Sequence, residues 1–183
     1  AAGGVWFTLK GWAKVSTLGG GRAKGRPEGR RVESGASESV PVSPMALAPL
    51  GRVRSKADML ANLDKGAEQV LDARGADRVF GAGIDPVHGG QNGRIPGALN
   101  LDFGKVIRED GTYRLADDLR YLFASDAGLD LDRPIITSCG RGVTARVLLF
   151  ALHLVRHDSA PLYDCKWHDW VAYPHPAKQQ TPA

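Results

Sequence analysis

Cys139 is the side chain with the strongest claim to chemistry. It lies in the stretch Pro134-Ile135-Ile136-Thr137-Ser138-Cys139-Gly140-Arg141-Gly142-Val143-Thr144-Ala145-Arg146. Ile135-Ile136-Thr137 is a short apolar, β-branched run, which predicts a buried strand. A turn with two glycines follows, and an apolar helix is predicted to begin near Thr144. Val147, Leu148, Phe150, Ala151, Leu152, Leu154 and Val155 leave that helix few polar faces. The cysteine then ends a buried strand and faces a helix start, where unpaired N–H groups and the positive end of the helix dipole gather. A thiolate is favoured at such a place. Gly140 and Gly142 free the backbone so that the N–H groups of residues 140–144 can turn toward a sulfur or an anion. Arg141 sets a permanent cation on the rim. The competing reading is a small, inert core cysteine, and the glycines and the strand–loop–helix order weigh against it.

Two kinds of anion-binding cysteine loop have this general shape. A phosphatase cradle of the pattern C-x5-R needs an arginine six residues after the cysteine. That position is Ala145, and Arg146 comes one residue too late. The other kind matches closely: Cys139-Gly140-Arg141-Gly142-Val143-Thr144-Ala145 resembles the active loop of the two-domain rhodanese and 3-mercaptopyruvate sulfurtransferase family, C-[RG]-[KS]-G-V-T-A. Gly140 is the mercaptopyruvate choice, and the basic Arg141 leans toward the thiosulfate choice. The resemblance implies sulfur transfer through a persulfide on Cys139. A small anionic donor, thiosulfate or 3-mercaptopyruvate, is bound by Arg78, Gly140, Arg141, Gly142, Val143 and Thr144, and a thiol or cyanide accepts the sulfur. No cofactor and no metal are implied. The rival expectations are a rhodanese module that binds without turning over, and a phosphatase-type enzyme.

Further motifs extend the resemblance. Val70-Leu71-Asp72-Ala73-Arg74 resembles the family's V-[LV]-D-[AS]-R, and Arg78 matches the arginine of its x-x-G-R, with Asp77 in the glycine's place. Asp72 and Arg74 themselves read as a structural ion pair at a strand end. Gly93-Arg94-Ile95-Pro96-Gly97-Ala98-Leu99-Asn100-Leu101 resembles G-H-I-P-G-A-x-N-[LIV], with Arg94 for histidine. In mercaptopyruvate enzymes a second substrate arginine follows the first by nine residues. Here that position is Val87, so the grip is missing unless His88 or Arg94 substitutes. Leu162-Tyr163-Asp164-Cys165-Lys166-Trp167-His168-Asp169-Trp170 resembles L-Y-D-G-[SG]-W-x-E-W, with Cys165 for glycine. Cys165 reads as an inert thiol. With His168 it offers only two ligands, which make no metal site. His153 and His157 read as structural or dipole-related rather than catalytic.

The elements around the loop are predicted as follows. Ser55, with Asp58 three residues on, starts a helix in which Met59, Leu60 and Leu63 share a face, and Gly66 stops it. Strands are expected over 69–74, 98–101, 135–137 and 161–163. Leu115, Leu119, Leu122 and Phe123 turn inward from a helix over 115–123. Alternating strands and helices predict an α/β fold: a rhodanese-like domain with a parallel sheet flanked by helices on both faces. The site then falls at the carboxyl ends of the strands.

The catalytic unit is placed at 52–175, with a tail at 176–183. Before it, 36–51 is rich in Ser, Ala and Pro and reads as a linker. Residues 1–35 read as the end of a preceding rhodanese domain: a helix over 5–12, a strand over 14–18, then a glycine turn. Glu28-Gly29-Arg30-Arg31-Val32-Glu33-Ser34-Gly35 resembles the family's E-G-R-P-V-E-S-G. Two fates are expected for this apolar remnant: docking on the second unit, or self-association between chains. Residues 1–54 hold nine basic and three acidic side chains, against 15 and 17 in the remainder. The basic excess comes without interleaved aromatics or a recognition helix, so nucleic-acid binding is not expected. No apolar run is long enough to cross a membrane. Two cysteines without a framework of spacings suit a reducing compartment, so a cytoplasmic location is expected, with a mitochondrial one left open.

Overall fold

The computed structural model describes residues 16–36, 52–81, 91–164 and 166–171. The predicted helix over 5–12, most of the linker, Val87, His88, Cys165 and the tail lie outside the described residues. In chain order the elements are α1 (Gly21–Gly25), β1 (Val53–Arg54), α2 (Lys56–Lys65), β2 (Gln69–Asp72), α3 (Ala76–Phe80) and β3 (Leu99–Asn100). There follow a 3-10 turn (Phe103–Val106), α4 (Ala116–Tyr121) running into a π turn (Leu122–Asp126), β4 (Ile135–Ser138), α5 (Ala145–Leu154), β5 (Leu162–Tyr163) and α6 (Lys166–Val171). The strands form one parallel sheet in the order β1-β5-β4-β2-β3. The chain leaves β2 for the β3 edge and leaves β4 toward the opposite edge. The connections therefore diverge between β2 and β4, and a crevice opens at the carboxyl ends of these two strands.

Strand alternation divides the core between the two faces of the sheet. Leu71, Ile135 and Leu162 turn to one face, where they meet Leu119 and Phe123 at α4 and its π turn and Leu148, Ala151 and Leu152 of α5. Their neighbours Val70, Ile136 and Tyr163 turn to the other face, against Met59 of α2 and Trp167 and Trp170 of α6. Helices thus cover both faces, as the alternation of elements predicts.

The local signals hold in detail at α2. The Ser55 hydroxyl accepts from the Asp58 N–H while the Asp58 carboxylate accepts from the Ser55 N–H. Gly66, at φ 59°, closes the helix by donating to the Asn62 carbonyl at 2.8 Å. Two apolar assignments differ. Leu60 is exposed, because residues four apart share a helix face and Met59 with Leu63 takes the inner one. Leu115 is 65% exposed, because it caps α4 in extended backbone and so precedes the inward stripe.

The N-terminal segment also departs from its predicted form. Ser16–Leu18 form no strand, and α1 follows directly on the glycines. A strand needs a neighbour to pair with, and the five described strands pair only among themselves. The segment rests instead on the turn at 108–112: Lys24 Nζ lies 2.8 Å from Asp110 Oδ2, and a Cβ on Gly111 would stand 3.6 Å from the Gly20 Cα. Lys24 and the hydrogen bonds from Thr112 hold the Asp110 carboxyl well below the usual carboxylate range.

Candidate active site

Cys139 follows β4 directly, and the register pairs Asp72 of β2 with Ser138 of β4. The Ala73 N–H donates to the Ser138 carbonyl at 2.9 Å, which fixes the two strand ends side by side. The chain then runs through Gly140–Thr144 into α5, whose first helical residue is Ala145. Within this loop the Gly142 N–H donates to Cys139 Sγ at 2.9 Å. Gly142 has φ +75°, a left-handed conformation that disfavours any side chain. The glycine is therefore required by the hydrogen bond to sulfur. Thr144 precedes α5 without capping it through its side chain, and the Arg146 and Val147 N–H groups donate instead to the Val143 and Thr144 carbonyls, at 3.3 and 3.0 Å.

The predicted site residues divide into two groups. Cys139, Gly140, Arg141, Gly142, Val143 and Thr144 share the one loop. Gly140 and Gly142 are buried and Arg141 is exposed, while Val143 is 55% exposed on the rim. Arg78 lies on α3, which begins just past the end of β2 and so stands at the same edge of the sheet. Its side chain is half-buried and its carbonyl accepts the Gly93 N–H at 3.0 Å. The cysteine itself is only 1% exposed. The exposed part of the site is the loop rim, and the sulfur is turned inward. Arg146 lies within α5, 3.8 Å from Asp164 Oδ1, and does not occupy the place that a phosphatase arginine requires in the loop.

A buried polar lattice backs the loop. Arg74 donates through Nε and Nη2 to the Asp72 carboxylate, the latter at 2.7 Å, and through Nη2 to the Gly93 carbonyl at 2.6 Å. Both side chains are almost wholly buried, which bears out their reading as a structural pair. The Arg74 guanidinium carbon lies 4.7 Å from the Trp167 ring centroid. Trp167 donates its backbone N–H to the Cys139 carbonyl at 3.0 Å and its indole N–H to the Gln91 carbonyl at 2.6 Å. The sequence marked Trp167 only as part of a motif. Its tie to Cys139 depends on a contact between distant segments that no local pattern announces.

Arg94 is the other surprise. It is fully buried, none of its three guanidinium nitrogens has an acceptor among the described residues, and its guanidinium carbon sits 4.5 Å from the Phe80 ring centroid. Burial pushes its pKa below the ordinary arginine value, with Asp72 opposing. An arginine enclosed in this way differs from the open substrate grip that a replacement for the position at Val87 would supply. Among the described residues no group of His, Cys, Asp or Glu could hold a metal ion, and no helix is long and apolar enough to cross a membrane.

Residues 55–173 match the Rhodanese-like domain family. The chain belongs to the rhodanese family. It is 38% identical over 171 residues to 3-mercaptopyruvate sulfurtransferase of Escherichia coli (strain K12), covering 92% of this chain and 60% of that protein. It is 31% identical over 180 residues to thiosulfate sulfurtransferase of Cricetulus griseus, covering 97% of this chain and 59% of that protein. The crystal structure of SseA from Escherichia coli, a 3-mercaptopyruvate sulfotransferase, superposes with a TM-score of 0.76 at 36% identity, over 90% of this chain and 61% of that one. EanB in complex with hercynine superposes with a TM-score of 0.87 at 17% identity, over all of this chain and 44% of that one, and shares the fold. The rhodanese chain thus spans less than two thirds of the length of these relatives.

Proposed function

We propose that this rhodanese unit is a sulfurtransferase that carries sulfane sulfur on Cys139. The observation that carries the reading is the Gly142 N–H held 2.9 Å from Cys139 Sγ by a left-handed glycine. A donor fixed by the backbone stabilises negative charge on sulfur without reorganising during the reaction. The Cys139 thiolate attacks the outer sulfur of thiosulfate, the S–S bond breaks, and its electron pair leaves with sulfite. With 3-mercaptopyruvate the C–S bond breaks instead, and the enolate of pyruvate takes a proton. Cys139 is left as a persulfide in either case. A thiolate or cyanide then attacks the outer sulfur, and the electron pair returns to Cys139. This is covalent catalysis by an activated nucleophile and calls for no cofactor. Arg141 and Arg78 orient the anionic donor. A bare thiol nucleophile suits a reducing compartment such as the cytoplasm.

We further read residues 1–35 as the close of a preceding unit, with the Lys24–Asp110 pair as the anchor by which its described part, 16–35, docks on the catalytic one. Self-association through this apolar remnant is the alternative fate, and sedimentation of the chain with and without residues 1–35 separates the two.

The burial of Cys139 favours a second reading, a rhodanese module that binds a partner and does not turn over. Mass spectrometry after incubation with thiosulfate decides between them. The sulfurtransferase reading expects one added sulfur on the peptide holding Cys139, removed by cyanide with formation of thiocyanate. Label on the Cys165 peptide instead, or no label with either donor, would overturn it. Release of para-nitrophenol from its phosphate ester would restore the phosphatase reading.

A further inference from the structure

We propose that Trp167 is a positioning residue for the Cys139 loop, itself locked in place by Arg74. The inference rests on the sulfurtransferase reading of that loop. Trp167 is 2% exposed and is held on three sides. Its indole N–H is fixed on the Gln91 carbonyl, its ring lies beneath the Arg74 guanidinium, and its backbone N–H is spent on the carbonyl of the nucleophile itself. A tryptophan that only filled the core would need the first two contacts at most. The third has a geometric consequence. A peptide unit is planar and trans, so its C=O and N–H point in opposite directions. Fixing the Cys139 carbonyl toward Trp167 therefore aims the Gly140 N–H away from α6. The carbonyl thereby sets the direction in which the loop leaves the cysteine, and Gly142, whose N–H reaches Sγ, follows two residues later.

Arg74 is the second link. Its fork spans the Asp72 carboxylate at the end of β2 and the Gly93 carbonyl, so the guanidinium plane cannot rotate. The ring beneath it is pinned between that plane and the face of the sheet, where it packs with Val70, Ile136 and Tyr163. The path from β2 to the nucleophile is then Asp72, Arg74, Trp167 and the Cys139 carbonyl. Each step is a direct contact between buried groups. The same tryptophan ties the loop to Gln91, so a shift of that segment would be felt where the loop leaves Cys139.

The test uses the full chain with Trp167→Phe, Arg74→Lys and the double variant, assayed well below their melting midpoints. Trp167→Phe keeps a ring under Arg74 and removes the indole donor. Arg74→Lys keeps the charge and removes the fork. With thiosulfate and cyanide, each single variant is expected to lower kcat about tenfold while KM stays within about twofold. The double variant should be no worse than about twice the poorer single, because both act through one path. A Trp167→Phe protein that melts earlier but keeps its kcat would reduce Trp167 to a packing residue and overturn the proposal, as would losses that multiply in the double variant. If Arg74→Lys does not fold, the kcat–KM split of Trp167→Phe alone decides between positioning and packing. Carbamidomethylation of Cys139 by iodoacetamide at fixed pH needs no sulfur donor. It is expected to slow at least about threefold in each folded single variant, since a misaimed cradle stabilises the attacking thiolate less. Slow alkylation with no turnover of any donor by the unaltered chain would sink the sulfurtransferase reading and leave the positioning role standing. Unchanged alkylation would sink the positioning role whatever the donor.

Discussion

Gly142→Ala separates the cost of a strained backbone from the value of a hydrogen bond to the nucleophile. Gly142 sits at φ +75° and its N–H lies 2.9 Å from Cys139 Sγ. An alanine forced into the left-handed region costs about 1–2 kcal/mol, which for a domain of this size lowers the melting midpoint by about 2–8 °C. If the loop relaxes to relieve that strain, the N–H leaves the sulfur. A hydrogen bond to a charged acceptor contributes about 1.5–3 kcal/mol, so sulfur transfer from thiosulfate to cyanide should slow about 10- to 150-fold. The control is Gly128→Ala. Gly128 has nearly the same φ, +72°, and an added Cβ there meets nothing within 4 Å. It should show the thermal loss alone, with unchanged turnover. Thiocyanate formation measures the rate and circular dichroism the midpoint. The reasoning is refuted if Gly142→Ala melts as expected yet turns over within about twofold of the parent, because the N–H would then contribute nothing to the reacting sulfur.

Arg141→Ser should weaken thiosulfate turnover more than 3-mercaptopyruvate turnover, since an exposed, permanent cation on the rim favours a compact dianion; an equal fall in kcat/KM for both donors would assign the arginine to the fold of the loop. Arg94→Met should raise stability by about 1–3 kcal/mol in urea titrations, because it removes three buried guanidinium nitrogens that have no acceptor among the described residues; a lower urea midpoint would show that the stack on Phe80 outweighs them. Burial pushes the Tyr113 phenol up from 10.0 to about 12. Its contribution to stability is full below pH 10 and is lost as pH rises toward 12, where the unfolded chain ionises first. Tyr113→Phe should flatten that part of the stability profile, and an unchanged slope would refute the assignment.

The parts of the site legible in the sequence are those made by adjacent residues. The β4 strand, the turn glycines and α5 lie within one run of residues, and their order alone places a cysteine at a helix start. The capping box at Ser55 and the Gly66 stop are legible for the same reason. What stayed hidden is set by distant partners. Trp167 meets Cys139 and Gln91 across intervals of 28 and 76 residues, and only the sheet brings them together. The expected strand ending at Leu18 had suitable residues but no neighbouring strand, and sheet structure depends on pairing more than on propensity. The motif position of Arg94 suits a substrate grip, and only the fold buries it against Phe80.

The site draws on two kinds of structure that can change independently. Charge on sulfur is met by a main-chain N–H, and the main chain there needs only glycine at position 142, the end of β4 and the start of α5. Backbone donors respond to negative charge and have little means of telling a sulfonate from a carboxylate, so the cradle cannot choose the donor by itself. Choice falls to cations placed by side chains, and here the sequence departs from its relatives' motif. Val87 stands where a second arginine is expected, Asp77 precedes Arg78, and Arg94 is enclosed and does not reach the rim. Arg146 is drawn toward Asp164. Among the loop's own residues Arg141 supplies the cation, and it is exposed. A compact dianion can be held by the cradle and Arg141 together, whereas a carboxylate several bonds away from its sulfur needs a second grip at a distance. In the proposed mechanism Arg78, on α3 at the same edge of the sheet, is that second grip, and comparing the two donors in Arg141→Ser measures how the work divides between the two arginines.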